Sequence, residues 1–511
     1  MPADPDPTVY PLDHLALRGG HTAPALVLKD RTLSYEALNA RVGLLAGWLK
    51  SCVPETGARI ATWLPKTALT CLMPLAAVRA GLVHVPINPL LKRAQVAHIL
   101  ADSGASLLIT NKGRLDTLEP ADAACAIFEE TAVWQMAEAQ NSTLPPSASS
   151  PDSLAAILYT SGSTGRPKGV MLSQANLWLG AVSVAHYLQI MPKDRVLAVL
   201  PLAFDYGQNQ LLSTWYAGGC VVPLDYLTPR DVVKAVARHG ITTIAAVPPL
   251  WLQLTEMDWP EETAAQLKRL TNSGGALTAS LVRALRGKFP QADLYPMYGL
   301  TEAFRSTYLD PALVDEHPTS IGKAIPFAEI LVVNDGGQAA APDEEGELIH
   351  TGPLVAQGYW QDAERTAERF KPAPSFAMLG GMAVWSGDRV RRDRQGLLHF
   401  VGRRDAMIKT SGNRVSPQEV EEAAIATGLV AEAVALGLPD PQLGAAIHLV
   451  VRASGDAAEA QEALIPALAR ALPNFMVPRH VHWREVMPTS PNGKLDRVAL
   501  AAELSAGKAT S

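Results

Sequence analysis

Apolar positions along this chain fall into short runs separated by longer amphipathic stretches, and the two kinds alternate. Arg59-Ile60-Ala61-Thr62-Trp63-Leu64 reads as a buried strand and Ala68 to Ala80 as a helix. Val83-His84-Val85-Pro86-Ile87 is the next strand, Lys92 to Ser103 the next helix, and Ser106 to Thr110 a further strand. The rhythm returns from strand Arg195 to Leu200 through helical Gln208 to Ala217 to strand Cys220-Val221-Val222, then through helical Pro229 to His239 to strand Thr242 to Val247. Such alternation predicts an α/β fold of parallel sheets covered on both faces by crossover helices. Between Ile321 and Leu354 the period shortens and Gly and Pro cluster, which predicts a smaller β-rich subdomain.

A chain of 511 residues exceeds a single core and predicts roughly two to four domains or subdomains. The boundary falls at Gly402-Arg403-Arg404-Asp405, after which the chain has its own αβ alternation. Residues 1–402 then form a large N-terminal domain of doubly covered sheets that includes the β-rich subdomain, and residues 403–511 a small α+β domain. Asn141 to Ser153, rich in Ser and Pro, is a loop leading into the apolar run Leu154 to Tyr159.

Composition excludes several functions. Hydrophobic residues make up 48% and charged residues 18%, as in an ordinary globular protein, and a net charge of −6 without a basic run gives no footing for nucleic acid. Cys52, Cys71, Cys125 and Cys220 are scattered, with neither disulfide nor zinc spacing. The twelve histidines form no HExxH; His480 and His482 alternate along a strand, which predicts a surface position rather than a metal site. Met1 to Tyr10 lacks the charged and apolar regions of a signal peptide. The longest uncharged run, Tyr206 to Leu224, is broken by Gln208, Asn209, Gln210, Gly218, Gly219 and Pro223, so no membrane span is expected. A cytoplasmic enzyme fits this profile.

Candidate chemistry begins at Tyr159-Thr160-Ser161-Gly162-Ser163-Thr164-Gly165-Arg166-Pro167-Lys168-Gly169-Val170. Glycines let successive backbone N–H groups curl around phosphate oxygens; hydroxyls add donors and Lys168 adds charge. It is not a Walker loop, because no Gly-Lys-Ser/Thr follows at the required spacing. The alternative is a Ser/Gly-rich surface turn, but the order of the twelve residues resembles the phosphate loop of the adenylate-forming superfamily: acyl-CoA synthetases, luciferases and the adenylation domains of peptide synthetases.

A phosphate loop demands partners for nucleoside, metal and acid. Tyr298-Gly299-Leu300-Thr301-Glu302 can supply an aromatic for the purine, a hydroxyl for a phosphate and, in Glu302, a carboxylate for Mg²⁺; otherwise it is a tight turn capping a strand. The resemblance extends over roughly Ser34 to Asp496 in the family's motif order and implies further roles. Asn272-Ser273-Gly274-Gly275-Ala276 is similar to the segment that lies along the adenine. Trp385-Ser386-Gly387-Asp388 resembles the TGD motif with serine for threonine, so Asp388 would accept the ribose hydroxyls; Arg403 matches an arginine that also reaches the ribose. Pro488-Thr489-Ser490-Pro491-Asn492-Gly493-Lys494-Leu495-Asp496 resembles the C-terminal lysine loop, whose Lys494 would bridge substrate carboxylate and α-phosphate. Lys409-Thr410-Ser411-Gly412-Asn413-Arg414 matches the loop that swings in for thioester formation, and Asp405 falls at the hinge about which the small, mobile domain turns. Leu472 to Pro478 matches a further family segment.

The implied reaction has two steps: a carboxylate attacks the α-phosphate of ATP, giving acyl-adenylate and pyrophosphate, and a thiol of CoA or of a carrier-protein phosphopantetheine arm then displaces AMP. Pro201-Leu202-Ala203-Phe204-Asp205 has Phe-Asp where many acyl-CoA synthetases have histidine, and this pairing is similar to adenylation domains for amino acids, whose aspartate receives the α-ammonium. The competing reading of Asp205 is a cap for a helix starting near Gly207. Family pocket positions carried across are Phe204, Asp205, Tyr206, Asn209, Ala246, Thr271, Ser273, Met297, Arg305 and Ser306, a polar lining suited to a small polar acid. Arg305 could pair a second carboxylate or phosphate, or neutralise Asp205. Tyr298 to Asp310 also resembles the AMP-forming acyl-CoA ligases of exosortase systems, and stand-alone prolyl-carrier-protein ligases have a related look. No carrier attachment motif follows the lysine loop, so a carrier protein is expected as a separate partner. Three functions remain open: a ligase loading an amino or similar acid onto a carrier protein, an acyl-CoA synthetase using free CoA, and a non-catalytic binding protein on the same fold.

Overall fold

The computed structural model describes residues 5–160, 167–403, 406–410, 413–440 and 443–507, with the main chain alone at 409, 413 and 414. The alternation of strand and helix builds two parallel sheets. In the smaller the strand order is Ala126–Glu129, Leu107–Thr110, Arg59–Trp63, Val83–Pro86, Leu154–Thr160, closed by antiparallel Lys168–Ser173. In the larger, the parallel strands run Asp293–Tyr298, Arg269–Asn272, Thr243–Ala246, Arg195–Ala198, Cys220–Pro223, Pro24–Val27. Most of their residues are apolar and buried, as a sheet with helices on either side requires.

Beyond Tyr298 the larger sheet turns antiparallel and continues through Thr307–Tyr308, Ser320–Ala324, Leu398–Arg403, Met382–Arg392, Glu345–Thr351 and Glu329–Val333. This is the β-rich region anticipated from 321–354, and it reaches further along the chain than the shortened period indicated. Helix boundaries agree with the sequence to within a few residues, with one consequential exception. The helix expected from Gln208 begins at Asp205 and ends at Tyr216, with Phe204 at its N-cap position.

The small domain is a three-stranded sheet, Val430–Asp440, Gly444–Ala453 and His480–Trp483, covered unequally. Helices Pro417–Ala426 and Ala457–Ala471 bury Val420, Leu464 and Leu468 against Ala433, Ala435, Leu449 and Val451. The alternate residues Val434, Leu436 and Val450 meet Leu500 of helix Arg497–Gly507 on the opposite face. On that face His480 is exposed as expected, but His482 is half-buried, with its Nε2 2.9 Å from Nδ1 of buried His448. Among the described residues no helix is long and apolar enough to cross a membrane.

Candidate active site

Parallel strands all deliver their carboxyl ends to one edge of a sheet, and that edge is where an open α/β sheet forms its binding crevice. Strands Arg195–Ala198, Thr243–Ala246, Arg269–Asn272 and Asp293–Tyr298 end here, so the segments that follow them, bearing Phe204, Asp205, Ser273, Gly274 and Tyr298, are brought together. Three groups of side chains line the crevice.

The first surrounds Asp205. This carboxylate is buried, and it does not cap the helix it begins: Phe204 holds the cap position and no side chain caps there. The cap reading fails because Asp205 turns instead to Thr301, whose Oγ1 donates to its Oδ1 at 2.9 Å. Thr301 was expected at a phosphate and is engaged at this carboxylate. Burial pushes the pKa of Asp205 up, and Arg305, Thr301 and Lys494 offset part of that rise. Arg305 is 1% exposed, with Nη2 4.0 Å from Asp205, Nη1 donating to Ser273 Oγ at 2.9 Å, and its guanidinium carbon 4.6 Å from the Tyr206 ring centre. Tyr206 and Thr271 share a hydrogen bond of 2.7 Å, Met297 Sδ accepts from Tyr187, and Ser306 is bonded to buried His350. Ala246 and Phe204 are buried, and the Asn209 Oδ1 is buried without a hydrogen-bond partner among the described residues.

The backbone reaches Arg305 through an uncommon turn. Phe304 has φ 59° and ψ −54°, and Arg305 N donates to Ala303 O at 2.6 Å, a γ-turn that a bulky residue adopts only when its surroundings hold it. The surroundings are Gly180: a Cβ there would stand 2.2 Å from the Phe304 ring. The ring fills that gap and fixes the turn.

The second group holds charge for a polyphosphate. Lys168 Nζ donates to Glu302 Oε1 at 3.2 Å and to Tyr359 OH at 2.7 Å, and Tyr359 OH donates to the same Glu302 oxygen at 2.7 Å. Burial raises the pKa of Glu302, but Lys168 and Tyr359 outweigh it and hold the carboxyl below its usual range. Burial draws Lys168 down, with Glu302 opposing. Thr160, across the hairpin from Lys168, has a buried hydroxyl with no partner among the described residues. Ser161, Gly162, Ser163, Thr164 and Gly165 lie outside the described residues. Sequence reasoning missed Tyr359, which stands 57 residues beyond Glu302 and belongs to no recognisable spacing.

The third group could hold a nucleoside. Register pairs Asp388 with Arg403 on adjacent antiparallel strands, Nε to Oδ1 3.6 Å, and Tyr298 OH donates to Asp388 Oδ2 at 2.5 Å. Burial and then Asp388 push the Tyr298 phenol well up, so it stays a donor. Gly299 stands against Arg305; Gly275 and Ala276 are exposed, and Asn272 Nδ2 donates to Gly275 O at 2.9 Å.

The small domain completes the crevice. Asn88 Nδ2 donates to Pro491 O and Asn492 Oδ1, each at 3.0 Å, docking the lysine hairpin on the large domain. Lys494 is exposed as a whole residue, yet the end of its side chain enters the crevice. A Cβ on Gly274, whose φ is +82°, would lie 2.6 Å from Lys494 Cε and 3.1 Å from Nζ. Enclosure lowers the Lys494 pKa and Asp205 opposes the fall. Asp405 and Gly412 lie outside the described residues, as does the Lys409 side chain.

Residues 13–360 match the family described as AMP-binding enzyme, and residues 419–494 the AMP-binding enzyme C-terminal domain. The L-proline--[L-prolyl-carrier protein] ligase of Pseudomonas fluorescens is 30% identical over 94% of this chain and 96% of its own length. A feruloyl-CoA synthase of an Amycolatopsis species is also 30% identical, covering 94% of each. Against three much longer relatives the chain spans no more than 19% of their length. The ATP-bound MatB of Rhodopseudomonas palustris superposes with a TM-score of 0.86 at 24% identity, over 97% of this chain and 99% of that one, a likeness of fold. The chain belongs to the AMP-binding enzyme family. It is an enzyme of the adenylate-forming class that its loop motifs resemble.

Proposed function

We propose that this protein activates a small polar carboxylic acid, specifically one bearing an amino group, as its acyl-adenylate, and passes the acyl group to the phosphopantetheine thiol of a carrier protein. The observation that carries the reading is the meeting of Lys494, from the small domain, with a pocket floored by buried Asp205. An aspartate enclosed in this way favours a cationic partner, and the α-ammonium of an amino acid is one.

In the first half-reaction the acid's carboxylate oxygen bonds to the α-phosphorus as the bond to pyrophosphate breaks. Lys494 would offset the carboxylate charge on approach, and Lys168 the charge accumulating on phosphate oxygens. Asp388 would accept the ribose hydroxyls, with Arg403 beside it and Tyr298 along the purine between Gly274-Gly275-Ala276 and Gly299. Glu302 fits a magnesium ligand: it is buried, kept ionised, and already carries a cation, with Lys168 and Tyr359 both on one oxygen. Mg²⁺ bound there supplies positive charge against the triphosphate. Among the described residues no cluster of three or more metal-ligating side chains exists, and magnesium held by one carboxylate and substrate phosphates needs none. In the second half-reaction a thiolate bonds to the acyl carbon and AMP leaves. We assign the approach of that thiol to the loop of Lys409 and Gly412, and the turn of residues 403–511 to Asp405.

A second reading is an AMP-forming acyl-CoA synthetase. The 4.0 Å contact of Arg305 with Asp205 favours it, since it supplies positive charge without an amine. Pyrophosphate release with ATP and Mg²⁺ across amino acids and the matching acids lacking the amino group separates the two. Release with amino acids alone supports the first; equal release with the desamino acids, followed by turnover on free CoA, supports the second.

A further inference from the structure

The acid pocket offers more positive charge than a simple amino acid can meet. Lys494 at the opening answers the reacting carboxylate, and Asp205 answers the ammonium. Arg305, fully buried, is then left over. A guanidinium enclosed without an anion is costly, so its presence asks for one.

Arg305 is not built as the counter-ion of Asp205. A guanidinium and a carboxylate made for one another share two N–H···O bonds of about 2.7–2.9 Å. Here the nearest approach is 4.0 Å, and Asp205 takes its hydrogen bond from Thr301. Of five guanidinium donors, the bond from Nη1 to Ser273 is the only one formed among the described residues, and Nε is buried with no partner there. The γ-turn at Phe304 holds the side chain in this under-bonded position.

We propose that Arg305 receives a second carboxylate of the substrate, so that the acid activated is a short aminodicarboxylic acid of the aspartate type; this rests on the adenylating reading above. Each charge then has a partner: reacting carboxylate with Lys494, ammonium with Asp205, side-chain carboxylate with Arg305. A diacid without the amine would set its second carboxylate beside Asp205 and leave Arg305 to answer both charges. The side chain must be short because little space remains beside the guanidinium. The void lined by Arg305 together with Tyr206, Asn209, Thr271, Met297 and Val184 has about 20 Å³ free, room for one water molecule.

The test is ATP–pyrophosphate exchange by the full chain with L-aspartate, L-glutamate, L-asparagine, L-alanine and succinate. L-Aspartate should give the highest kcat/KM, on the order of 100-fold above L-asparagine and L-alanine. Arg305→Lys keeps the charge but loses the planar fork, and Arg305→Ala loses both; the aspartate-to-asparagine ratio should fall stepwise through the two. Because each ratio is taken on one preparation, a loss of folded protein cancels from it. An unchanged ratio in both variants, or a neutral acid preferred by the wild type, overturns the assignment of Arg305. Absence of exchange with every acid, and with a wider set, would instead sink the adenylating reading. Calorimetric titration of L-aspartate into wild type and Arg305→Ala then still decides: binding lost with the arginine upholds the pocket's charge pairing, and no binding to either rejects it.

Discussion

Gly274→Ala places one methyl group against the ammonium arm that the small domain inserts. The new Cβ would lie 2.6 Å from Lys494 Cε, against a comfortable carbon–carbon separation of about 3.5–4.0 Å, so the arm must withdraw by about 1 Å. The φ of +82° adds backbone strain of about 1–2 kcal/mol, too little to unfold a chain of this size. A misplacement of that size at a reacting centre costs on the order of 100-fold, about 2.7 kcal/mol of barrier. Acid-dependent pyrophosphate exchange should therefore fall by about that factor, while thiol transfer from supplied acyl-adenylate changes by less than about threefold, because Lys494 is assigned to the first step alone. Lys494→Ala and the double variant complete a cycle. If the methyl acts through the lysine, Gly274→Ala adds nothing in the Lys494→Ala background. A further hundredfold loss in the double variant would refute the reasoning and assign the effect to the nucleotide surface of Gly274 itself.

Lys494→Ala alone should lower exchange by roughly 100- to 1000-fold with an unchanged thermal midpoint, since the side chain stabilises charge in the reaction rather than the fold. Asp205→Asn should abolish exchange with amino acids while leaving any desamino acid at its wild-type rate. Tyr359→Phe removes a hydrogen bond from Glu302 and one from Lys168; unfolding free energy should fall by about 1–3 kcal/mol and half-saturation by Mg²⁺ should rise several-fold. The same variant tests the sign of the Glu302 shift. A carboxyl held below its ordinary value adds stability above its unfolded pKa, and that stability is lost as pH falls through the folded value. Loss of Tyr359's hydroxyl raises the folded value, so acid unfolding should begin at a higher pH than in wild type.

The sheets were legible because buried parallel strands must be largely apolar and their crossover helices must be of helical length; the run Val83 to Ile87, apolar but for His84, is a case in point. Asp388 and Arg403 were legible as motif residues, and the register of their two strands explains their meeting. The role of Asp205 was half legible. A local cap and a distant partner place the same residue in the same sequence, and only the fold shows that the partner is Thr301, 96 positions away. Tyr359 was not legible at all. It reaches Glu302 because Tyr359 bridges to Val170, beside Lys168, and that pairing is set by tertiary contacts no local pattern encodes. The histidine at 448 escaped notice for the same reason: it neighbours 480 and 482 only once the strands are side by side.

The ring of Phe304 lodged over Gly180 separates two properties that most pockets entangle. The path of the main chain at 305 is dictated from the interior, by the contact of Phe304 with Gly180, whereas the side chain at 305 turns to Asp205 and Ser273 in the pocket we assign to the acid. Selectivity can then be rewritten at 305, by drift or by an engineer, without rebuilding the loop beneath it. The converse also holds. Even the smallest side chain at 180, far from any reacting atom and invisible to a survey of pocket residues, would evict the ring, release the turn and leave every specificity residue present but wrongly aimed.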